Sequence, residues 1–238
     1  MSRLQSFYGR IRRTVQLLSN GRVQPVELPL FSAEEGYDRW AASYGEELTA
    51  VQVLESPILV ELIPDVKDRR VLDLGCGTGR VSELAMAHGA KITVGVDLSR
   101  EMLQRAVGST KSTKSFWLAG DGLHLPFVSE SFDVIICALT MGHLRDIEGG
   151  LAQIHRVLRL GGTLLLSDFH PYATFRGDTR SFLNPKDGKT YAIEQHCHLF
   201  EHYFECFNKL GIHLEDLREP QFEGFPLVFV MRAKKVSG

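Results

Sequence analysis

Apolar residues follow two different periods along this chain, and the change between them marks the predicted elements. Short runs that are apolar throughout alternate with segments whose apolar residues fall on one helix face. The predicted strands cover residues 69–75, 91–97, 115–121, 132–140 and 162–170. Because strands that are apolar on both faces and alternate with helices form parallel sheets with helices on each side, the pattern predicts a doubly wound α/β fold.

Local signals bound the helices between these strands. Gly89 closes the segment after the first strand, as a C-terminal glycine does. Ser99 and Asp146 precede two further amphipathic segments and are predicted to be their N-caps. These signals place one helix after each of the first two strands and another before the fifth strand.

The residues before the first strand show weaker patterning. Residues 1–36 contain Pro25 and Pro29 and are expected to be a loose extension. Residues 37–48 predict a helix, and residues 53–63 predict a second one that stops at Pro64. The first of these helices carries a mainly aromatic stripe of Tyr37, Trp40, Ala41 and Tyr44. The stripe is either buried in the core or covers a ligand.

The pattern changes again after the fifth strand. Residues 171–198 contain two extended arms around an NPKDGK turn, and residues 199–211 predict an amphipathic helix. Two strands are expected to close the chain. We therefore divide it into an N-terminal extension with two helices, residues 1–66, and a core of residues 67–238 that carries the insertion.

A glycine-rich loop, "VLDLGCGTGR", follows the first strand directly. Gly75, Gly77 and Gly79 permit positive φ angles and a close approach of a ligand to the backbone. The dinucleotide fingerprint requires a further glycine where Arg80 stands, so the loop departs from that pattern.

Three carboxylates are predicted to lie near this loop, since each ends one of three adjacent strands. Asp73 suits a cationic amine and would repel a pyrophosphate. Asp97 lies where a carboxylate accepts hydrogen bonds from two ribose hydroxyls. Asp121 is placed to accept from an exocyclic amine such as adenine N6. Together they describe a ligand with an amine, a ribose and an adenine but no phosphate.

These residues and several later motifs resemble class I S-adenosylmethionine-dependent methyltransferases, in particular the group that includes quinone-biosynthesis and acyl-carrier-protein enzymes. The resemblance covers about residues 37–170. It rests on "DLGCGTG", "VGVDLSREML", "GDGLHLPF", "FDVIICALTMGHL" and "LRLGGTLLLSDF", which occur in the family's order. It implies a Rossmann-like sheet of seven strands, mostly parallel with the last strand antiparallel, and S-adenosylmethionine as cofactor, with S-adenosylhomocysteine as product.

The resemblance also implies roles for individual residues. The glycine loop would contact the methionine part of the cofactor, and Leu98 and Met102 would enclose the adenine. Tyr37 and Tyr44 would close over the cofactor as a lid. Three further positions complete the expected cofactor site: Gly122, Ala138 and Thr140.

Methyl transfer from a sulfonium is an in-line displacement, so the protein must mainly align an acceptor and exclude water. An oxygen or nitrogen acceptor sometimes needs a base. His143, after the fourth strand, and His170, after the fifth, are the candidates for this catalytic role; each is otherwise an ordinary helix-start or loop histidine. Phe175, Phe182 and Tyr191 of the insertion are expected to line an acceptor pocket.

Composition and the absence of one motif limit the classes of substrate that this protein is expected to bind. The chain has 238 residues with a formal net charge of −2, which disfavours nucleic acid as a substrate. The [DNS]-P-P-aromatic element of nucleic-acid amino methyltransferases is also absent after the fourth strand. A small organic acceptor is expected, and the protein is expected to be a monomer or a homodimer. His196, His198 and His202 do not predict a metal site, since their spacing fixes no second shell of partners.

The basic first 18 residues lack the apolar run of a signal peptide, and no apolar run is long enough to span a membrane. The cysteines lack metal-type pairing, so a cytoplasmic location is expected; a mitochondrial presequence is the alternative. Two other functions remain open. One is a non-catalytic protein that binds the cofactor or forms a complex, and the other is an aminopropyl transferase.

Overall fold

A computed structural model describes residues 15–17, 23–25, 28–46 and 48–236. Strands β1 (Val15–Leu17) and β2 (Val23–Pro25) form an antiparallel pair, and β3 (Leu30–Phe31) follows. The remainder of the basic N-terminal stretch, and the loose structure expected for it, lie outside the described residues. For residues 30–31 the expectation of a loose segment is wrong, because they pair with a strand of the insertion.

A seven-stranded sheet forms the centre of the described chain. Its strands are β4 (Arg70–Leu74), β5 (Ile92–Asp97), β6 (Ser115–Ala119), β7 (Phe132–Ala138), β8 (Leu158–Phe169), β11 (Ile212–Arg218) and β14 (Val228–Lys235). Their spatial order is β11-β14-β8-β7-β4-β5-β6. Strand β14 runs antiparallel to both neighbours, and the other pairings are parallel. The predicted Rossmann-like sheet with its last strand antiparallel is confirmed.

Helices cover both faces of this sheet. They are α1 (Ala33–Trp40), α2 (Ala50–Leu62), α3 (Arg80–Ala87), α4 (Arg100–Ser109), α5 (Ile147–Val157), α6 (Pro171–Phe175) and α7 (Phe200–Leu210). Ser99 and Asp146 accept hydrogen bonds from the first turns of α4 and α5 and are the N-caps that the sequence predicts. No helix in the described ranges has the length and apolar character needed to cross a membrane.

The two larger parts of the hydrophobic core lie on opposite faces of the sheet. Successive residues of β7 belong to them alternately, because side chains of a strand point to opposite faces. Ile135 packs with the side chains of α5 and α7, whereas Val134 packs with those of α2 and α3. This burial on both sides explains why the fourth predicted strand carries apolar residues on both faces.

The elements outside the central sheet differ most from expectation. Helix α1 begins at Ala33 instead of residue 37, and the chain continues through a 3-10 turn, Ala41–Ser43. The insertion forms strands β9 (Ser181–Leu183) and β10 (Thr190–Ile193), which are the two predicted arms, and β10 also pairs with β3. The short helix α6 and the small hairpin β12 (Gln221–Phe222) and β13 (Phe225–Pro226) were not predicted.

Candidate active site

A cavity of about 500 Å³ opens at the carboxyl ends of β4, β5 and β7. Helix α1 and the start of β9 also contribute to its walls. The sequence-predicted residues in its lining are Tyr37, Tyr44, Asp73, Gly75, Gly77, Asp97, Leu98, Met102, Gly122, Ala138, Thr140 and His143. Gly79, Asp121 and His170 do not line it. The topology therefore brings most of the expected site together at one edge of the sheet.

The glycine loop packs tightly against the segment after β7. Gly75 has φ +70°, and a Cβ built on it would lie 2.1 Å from Oγ1 of Thr140. Only a glycine fits at this position, since both the backbone conformation and the available space exclude a side chain. The loop is thereby held at the cavity wall with its backbone exposed to a ligand.

Gly79, the third glycine of the loop, packs against a neighbouring strand, whereas the sequence predicts that it contacts the cofactor. Gly79 has φ +88° and precedes the first turn of α3. A Cβ built here would lie 2.5 Å from the ring of Trp117 on β6. The prediction that Gly79 contacts the cofactor is not met in this structure, because the residue packs against a neighbouring strand instead of the cavity.

Asp97 fastens the glycine loop to β5. Its Oδ2 accepts from the backbone N–H of Gly77 at 2.7 Å, and its Oδ1 accepts from the N–H of Ser99 at 2.9 Å. Burial raises the pKa of Asp97, while these two hydrogen bonds act in the opposite direction. Each carboxylate oxygen retains a second lone pair, so Asp97 can still accept from two hydroxyls of a ligand.

Asp73 is buried and supports helix α3. Its Oδ2 accepts from both the backbone N–H and the hydroxyl of Ser82, at 2.9 and 2.8 Å. Burial raises its pKa to about 6, and the two bonds to Ser82 oppose that rise. Asp73 lines the cavity as expected, but one of its oxygens serves to cap a helix, a role that the sequence did not indicate.

Asp121 was expected to face an adenine, and the structure corrects this. Its Oδ1 accepts from the N–H of Leu123 at 2.9 Å, and its Oδ2 lies 3.2 Å from Nδ1 of His124. The side chain is 40% exposed. The tight turn after β6 directs the carboxylate to its own backbone, and Gly120 and Gly122 line the cavity on either side of it.

The aromatic stripe of the N-terminal helix folds over the cavity. Trp40 stacks on Phe182 of the insertion with ring centroids 5.3 Å apart, and it contacts Tyr44 edge-on at 4.8 Å. The hydroxyl of Ser99 donates to Asp38 at 2.6 Å and so attaches α1 to the start of α4. The stripe is thus both buried against the insertion and part of the cavity wall.

The two tyrosines of the stripe have different partners. The hydroxyl of Tyr44 accepts from the side-chain amide of Gln52 at 3.0 Å. The hydroxyl of Tyr37 lies 3.0 Å from Nε2 of His143. Burial raises the pKa of both phenols, and the nearby Arg180 guanidinium acts in the opposite direction on each.

His143 has a hydrogen-bond partner at each ring nitrogen. Its Nδ1 lies 2.9 Å from the backbone carbonyl oxygen of Glu194, and its Nε2 faces Tyr37. Burial lowers the pKa of His143 well below its usual 6.5, and the positive charge of Arg180 lowers it further. The ring is therefore neutral at physiological pH.

His170 was expected to face an acceptor but lies away from the cavity. Its Nδ1 accepts from the N–H of Tyr172 at 3.0 Å, so it is the N-cap of α6, and its Nε2 donates to Glu219 at 2.8 Å. Phe200 packs edge-on against the ring at 5.2 Å. Both nitrogens are engaged in structure, which corrects the prediction of a catalytic role.

Two arginines of the site were missed. Arg180 of the insertion is nearly fully buried and donates to the carbonyl of Leu139 and to Asp168, which also accepts from Gly142 and Phe169. The sequence carried no signal for it, because its position depends on how the insertion folds back.

Arg80 also lines the cavity and reaches across to α2. It donates to the buried carboxylate of Glu55 at 2.6 Å and to Ser56 at 3.0 Å. In the sequence Arg80 served only to distinguish the loop from a dinucleotide site.

The insertion contributes other residues than those expected. Phe175 is 72% exposed, Phe182 stacks beneath Trp40, and Tyr191 donates to Asp187 at 2.5 Å. None of them lines the cavity, which residues 178–181 border instead. Within the part of the chain that the structure describes, no group of three or more His, Cys, Asp or Glu is arranged to hold a metal ion.

Comparison with known proteins gives a domain family for the centre of the chain. The methyltransferase domain family matches residues 72–166. A malonyl-[acyl-carrier protein] O-methyltransferase of Hamiltonella defensa is 34% identical over 131 residues, which are 55% of this chain and 49% of that protein. A demethylmenaquinone methyltransferase of Roseiflexus castenholzii is 38% identical over 96 residues, 40% of each protein. The chain spans half or less of the length of these two relatives.

The solved structures show the same fold over a longer stretch. An S-adenosylmethionine-dependent methyltransferase from Mesorhizobium loti superposes with a TM-score of 0.66 at 22% identity. The match covers 76% of this chain and 97% of that one. The cofactor that the methyltransferase domain family implies is S-adenosylmethionine.

Proposed function

We propose, from the methyltransferase domain that residues 72–166 form, that this protein transfers the methyl group of S-adenosylmethionine to a small organic acceptor. The observation that carries the proposal is the half-buried carboxylate of Asp97, held against the glycine loop by the N–H of Gly77 at 2.7 Å. That arrangement presents a carboxylate and a bare backbone to one ligand at the carboxyl edge of the sheet.

The cavity suits S-adenosylmethionine on three grounds. Its volume of about 500 Å³ lies in the usual range of small-ligand sites. Gly75 and Gly77 carry no side chain in the cavity lining, so a ligand can approach the backbone at both positions. Asp97 retains lone pairs for ribose hydroxyls, and Asp73 and Asp97 favour a cation over a phosphate.

We assign the other residues by their place in the lining. Leu98, Met102 and Gly122 would enclose the adenine, and the backbone of residues 138–140 would hold the amino-acid end. When bound, the cofactor supplies a methyl group on a positively charged sulfur, which is already activated. The chain then has to orient an acceptor against that group and keep water out, for which the aromatic cover of Tyr37, Trp40 and Tyr44 is placed.

The acceptor we propose is a small organic molecule. One relative is named for demethylmenaquinone, which is such a molecule, and the other for a malonyl group carried on an acyl-carrier protein. Among the lining residues, Leu144, Phe169 and Leu227 offer apolar surface. Arg180 adds a cation and His143 a neutral imidazole. This mixture suits an acceptor with one polar reacting group on an apolar body.

Other parts of the proposal concern the setting. We propose a cytoplasmic protein, a monomer or a homodimer, that does not act on nucleic acid. The unpaired state of Cys76, Cys137, Cys197 and Cys206 supports a reducing compartment, and the net charge of −2 supports the choice against nucleic acid. Residues 1–66 would act as extension and lid on a core of residues 67–238.

Two measurements test the function. Calorimetric titration should show binding of S-adenosylmethionine and S-adenosylhomocysteine; no binding of either at high concentration would overturn the proposal. A cell extract supplied with isotopically labelled cofactor should then yield a methylated product that mass spectrometry identifies. Binding with no transfer to any component would favour the non-catalytic alternative.

A further inference from the structure

The hydrogen bond between Tyr37 and His143 has a fixed direction. Nδ1 of His143 lies 2.9 Å from the carbonyl oxygen of Glu194, and a carbonyl oxygen only accepts. Nδ1 therefore carries the proton of the neutral ring, and Nε2 carries a lone pair. The hydroxyl of Tyr37, 3.0 Å from Nε2, is consequently the donor.

This direction determines what Tyr37 can offer a ligand. Its only proton points to His143, so the lone pairs of its oxygen are the part left for other partners. Tyr37 lines the cavity together with His143 and Arg180. A ligand that meets this oxygen must itself bring a hydrogen-bond donor.

Tyr44 provides a comparison within the same cavity. Its hydroxyl accepts from the amide of Gln52, which has no basic site to receive a proton in return. The two tyrosines therefore differ in chemistry although both belong to the aromatic cover. Tyr37 alone is connected to a base.

The groups around the pair act on the Tyr37 proton in both directions, and burial keeps the pKa of Tyr37 above its usual value. Arg180 lies beside the Tyr37 hydroxyl and acts to lower its pKa, whereas burial and the carboxylates of Asp97 and Asp168 act to raise it. The groups that face His143 are Arg180 and His196, which disfavour a second proton on the ring, and the carbonyl of Glu194, which favours it. The pair is thus neutral at rest, with Arg180 placed to support negative charge on the phenol oxygen.

We propose that Tyr37 and His143 form a proton relay for an acceptor that arrives as a neutral O–H or N–H compound. This inference rests on the proposed methyl transfer. Tyr37 is then a catalytic residue as well as part of the cover, and His143 is the positioning residue that receives the proton through it.

A lone pair of the acceptor's oxygen or nitrogen forms the bond to the methyl carbon, and the electron pair of the sulfur–methyl bond stays on sulfur. The electron pair of the acceptor's O–H or N–H bond stays on the acceptor as its proton leaves. The acceptor's proton moves to the Tyr37 oxygen, and the former Tyr37 proton moves to Nε2 of His143. One positive charge disappears from sulfur as one appears on the imidazole, so the net charge of the cavity is unchanged.

Nitrogen NMR of the imidazole rings tests the relay without any turnover. The protein, saturated with S-adenosylhomocysteine, should show His143 as the neutral Nδ1–H tautomer between pH 5 and 8, with the signal assigned by its loss in His143→Gln. Tyr37→Phe should move the Nε2 resonance, because it removes the donor. An Nε2–H tautomer in the wild type would overturn the proposal, since the Tyr37 proton would then point into the cavity.

Single-turnover kinetics test the chemical role, with the acceptor that the labelled-cofactor experiment identifies. Tyr37→Phe should slow methyl transfer about 10²- to 10⁴-fold, the usual range for loss of general base catalysis. The difference in transfer rate between this variant and the wild type should become smaller at high pH, where the acceptor ionises without a base. Tyr191→Phe is the matched control, because it removes a phenol hydroxyl bonded to Asp187 outside the cavity.

His143→Gln should cause a similar loss, and the double variant should be no slower than the worse single variant, because both act on one proton path. Transfer by Tyr37→Phe within threefold of wild type, or a defect independent of pH, would overturn the relay alone. If the wild type binds neither S-adenosylmethionine nor its product, the proposed function itself fails and the relay with it. The two failures are therefore distinguishable.

Discussion

The backbone N–H of Gly77 donates to the carboxylate of Asp97 at 2.7 Å, although 20 residues separate the two along the chain. The bond joins the glycine loop after β4 to the end of β5. It therefore fixes two parts of the proposed cofactor site relative to each other before any ligand binds.

Asp97→Ala should weaken binding of S-adenosylhomocysteine about tenfold to hundredfold for each ribose hydroxyl that loses its charged partner. The reason is that the variant removes both the acceptor for the ligand and the tie to Gly77. Calorimetric titration measures the effect. The Asp97→Asn protein retains one acceptor oxygen, so its affinity for S-adenosylhomocysteine should lie between those of the wild type and the Asp97→Ala protein.

The matched control is Asp65→Ala. Asp65 also accepts a backbone N–H, that of Lys67 at 3.1 Å, but it is exposed and lies outside the cavity. Its removal should leave ligand affinity within twofold of wild type. Equal affinity for the Asp97→Ala protein and the wild type would refute the ribose assignment.

Gly75→Ala should destabilise the protein more than Gly77→Ala. Both glycines have positive φ, so each substitution costs about 1–2 kcal/mol in backbone conformation. Only at Gly75 would the new Cβ also collide with Thr140, and overpacking of this kind costs about a further 1–3 kcal/mol.

Urea unfolding of the ligand-free proteins gives both free energies of unfolding. The Gly77→Ala protein is the control for the shared backbone penalty, since nothing lies within 4 Å of a Cβ built there. Equal free energies of unfolding for the two variants would show that Thr140 moves away from a Cβ at residue 75 without destabilising the protein.

The central sheet could be predicted from the sequence because its signals are local. The apolar run before Gly75 specifies a strand, and the N-cap Ser99 specifies the start of a helix. Each signal acts on adjacent residues only, and strands flanked by such helices assemble by general rules. Strand β8 is the exception within the sheet. It begins at Leu158, directly after α5, so the chain passes from helix to strand without the expected break near Gly161.

The site could be predicted only in part, since several roles depend on residues distant in sequence. Gly79 is required by Trp117 from a neighbouring strand, which no loop motif reveals. His170 has the residue type and position of a base, yet the N–H of Tyr172 and the carboxylate of Glu219 engage both its nitrogens. Arg180 reaches the cavity only through the folding of the insertion.

The stability of the protein should depend on the protonation of Asp73. Burial raises the pKa of this carboxyl from 3.8 to about 6, so the folded protein binds its proton more tightly than the unfolded chain does. Its contribution is therefore fully present below pH 4 and is lost as the pH rises through 6. Two pKa units correspond to roughly 3 kcal/mol.

Asp73→Asn isolates this contribution, because the amide keeps an oxygen for Ser82 and does not titrate. The free energy of unfolding of the wild type relative to this variant should fall between pH 4 and pH 6, as measured by urea unfolding across that range. A difference that is constant over the range, or that grows with pH, would contradict the raised pKa.

His170→Ala should reduce stability and leave ligand binding intact. The variant loses the N-cap of α6 and the contact with Glu219, and loss of an N-cap costs about 1 kcal/mol. Thermal unfolding and calorimetric titration with S-adenosylhomocysteine measure the two effects. A large loss of affinity for S-adenosylhomocysteine with an unchanged melting temperature would show that His170 belongs to the binding site.

Arg180→Met should destabilise the protein by about 3–5 kcal/mol, because it leaves the buried Asp168 without its charged partner. Asp168→Asn in the same protein should recover part of this loss, since the amide needs no counter-charge. Arg39→Ala is the control, as it breaks a bridge to Glu35 in which the side chains are 47% and 50% exposed, and such pairs contribute less than about 1 kcal/mol. If Arg180→Met and Arg39→Ala lowered the free energy of unfolding equally, the ion pair between Arg180 and Asp168 would contribute no more than a surface contact, and Arg180 would be free to turn its charge toward a ligand.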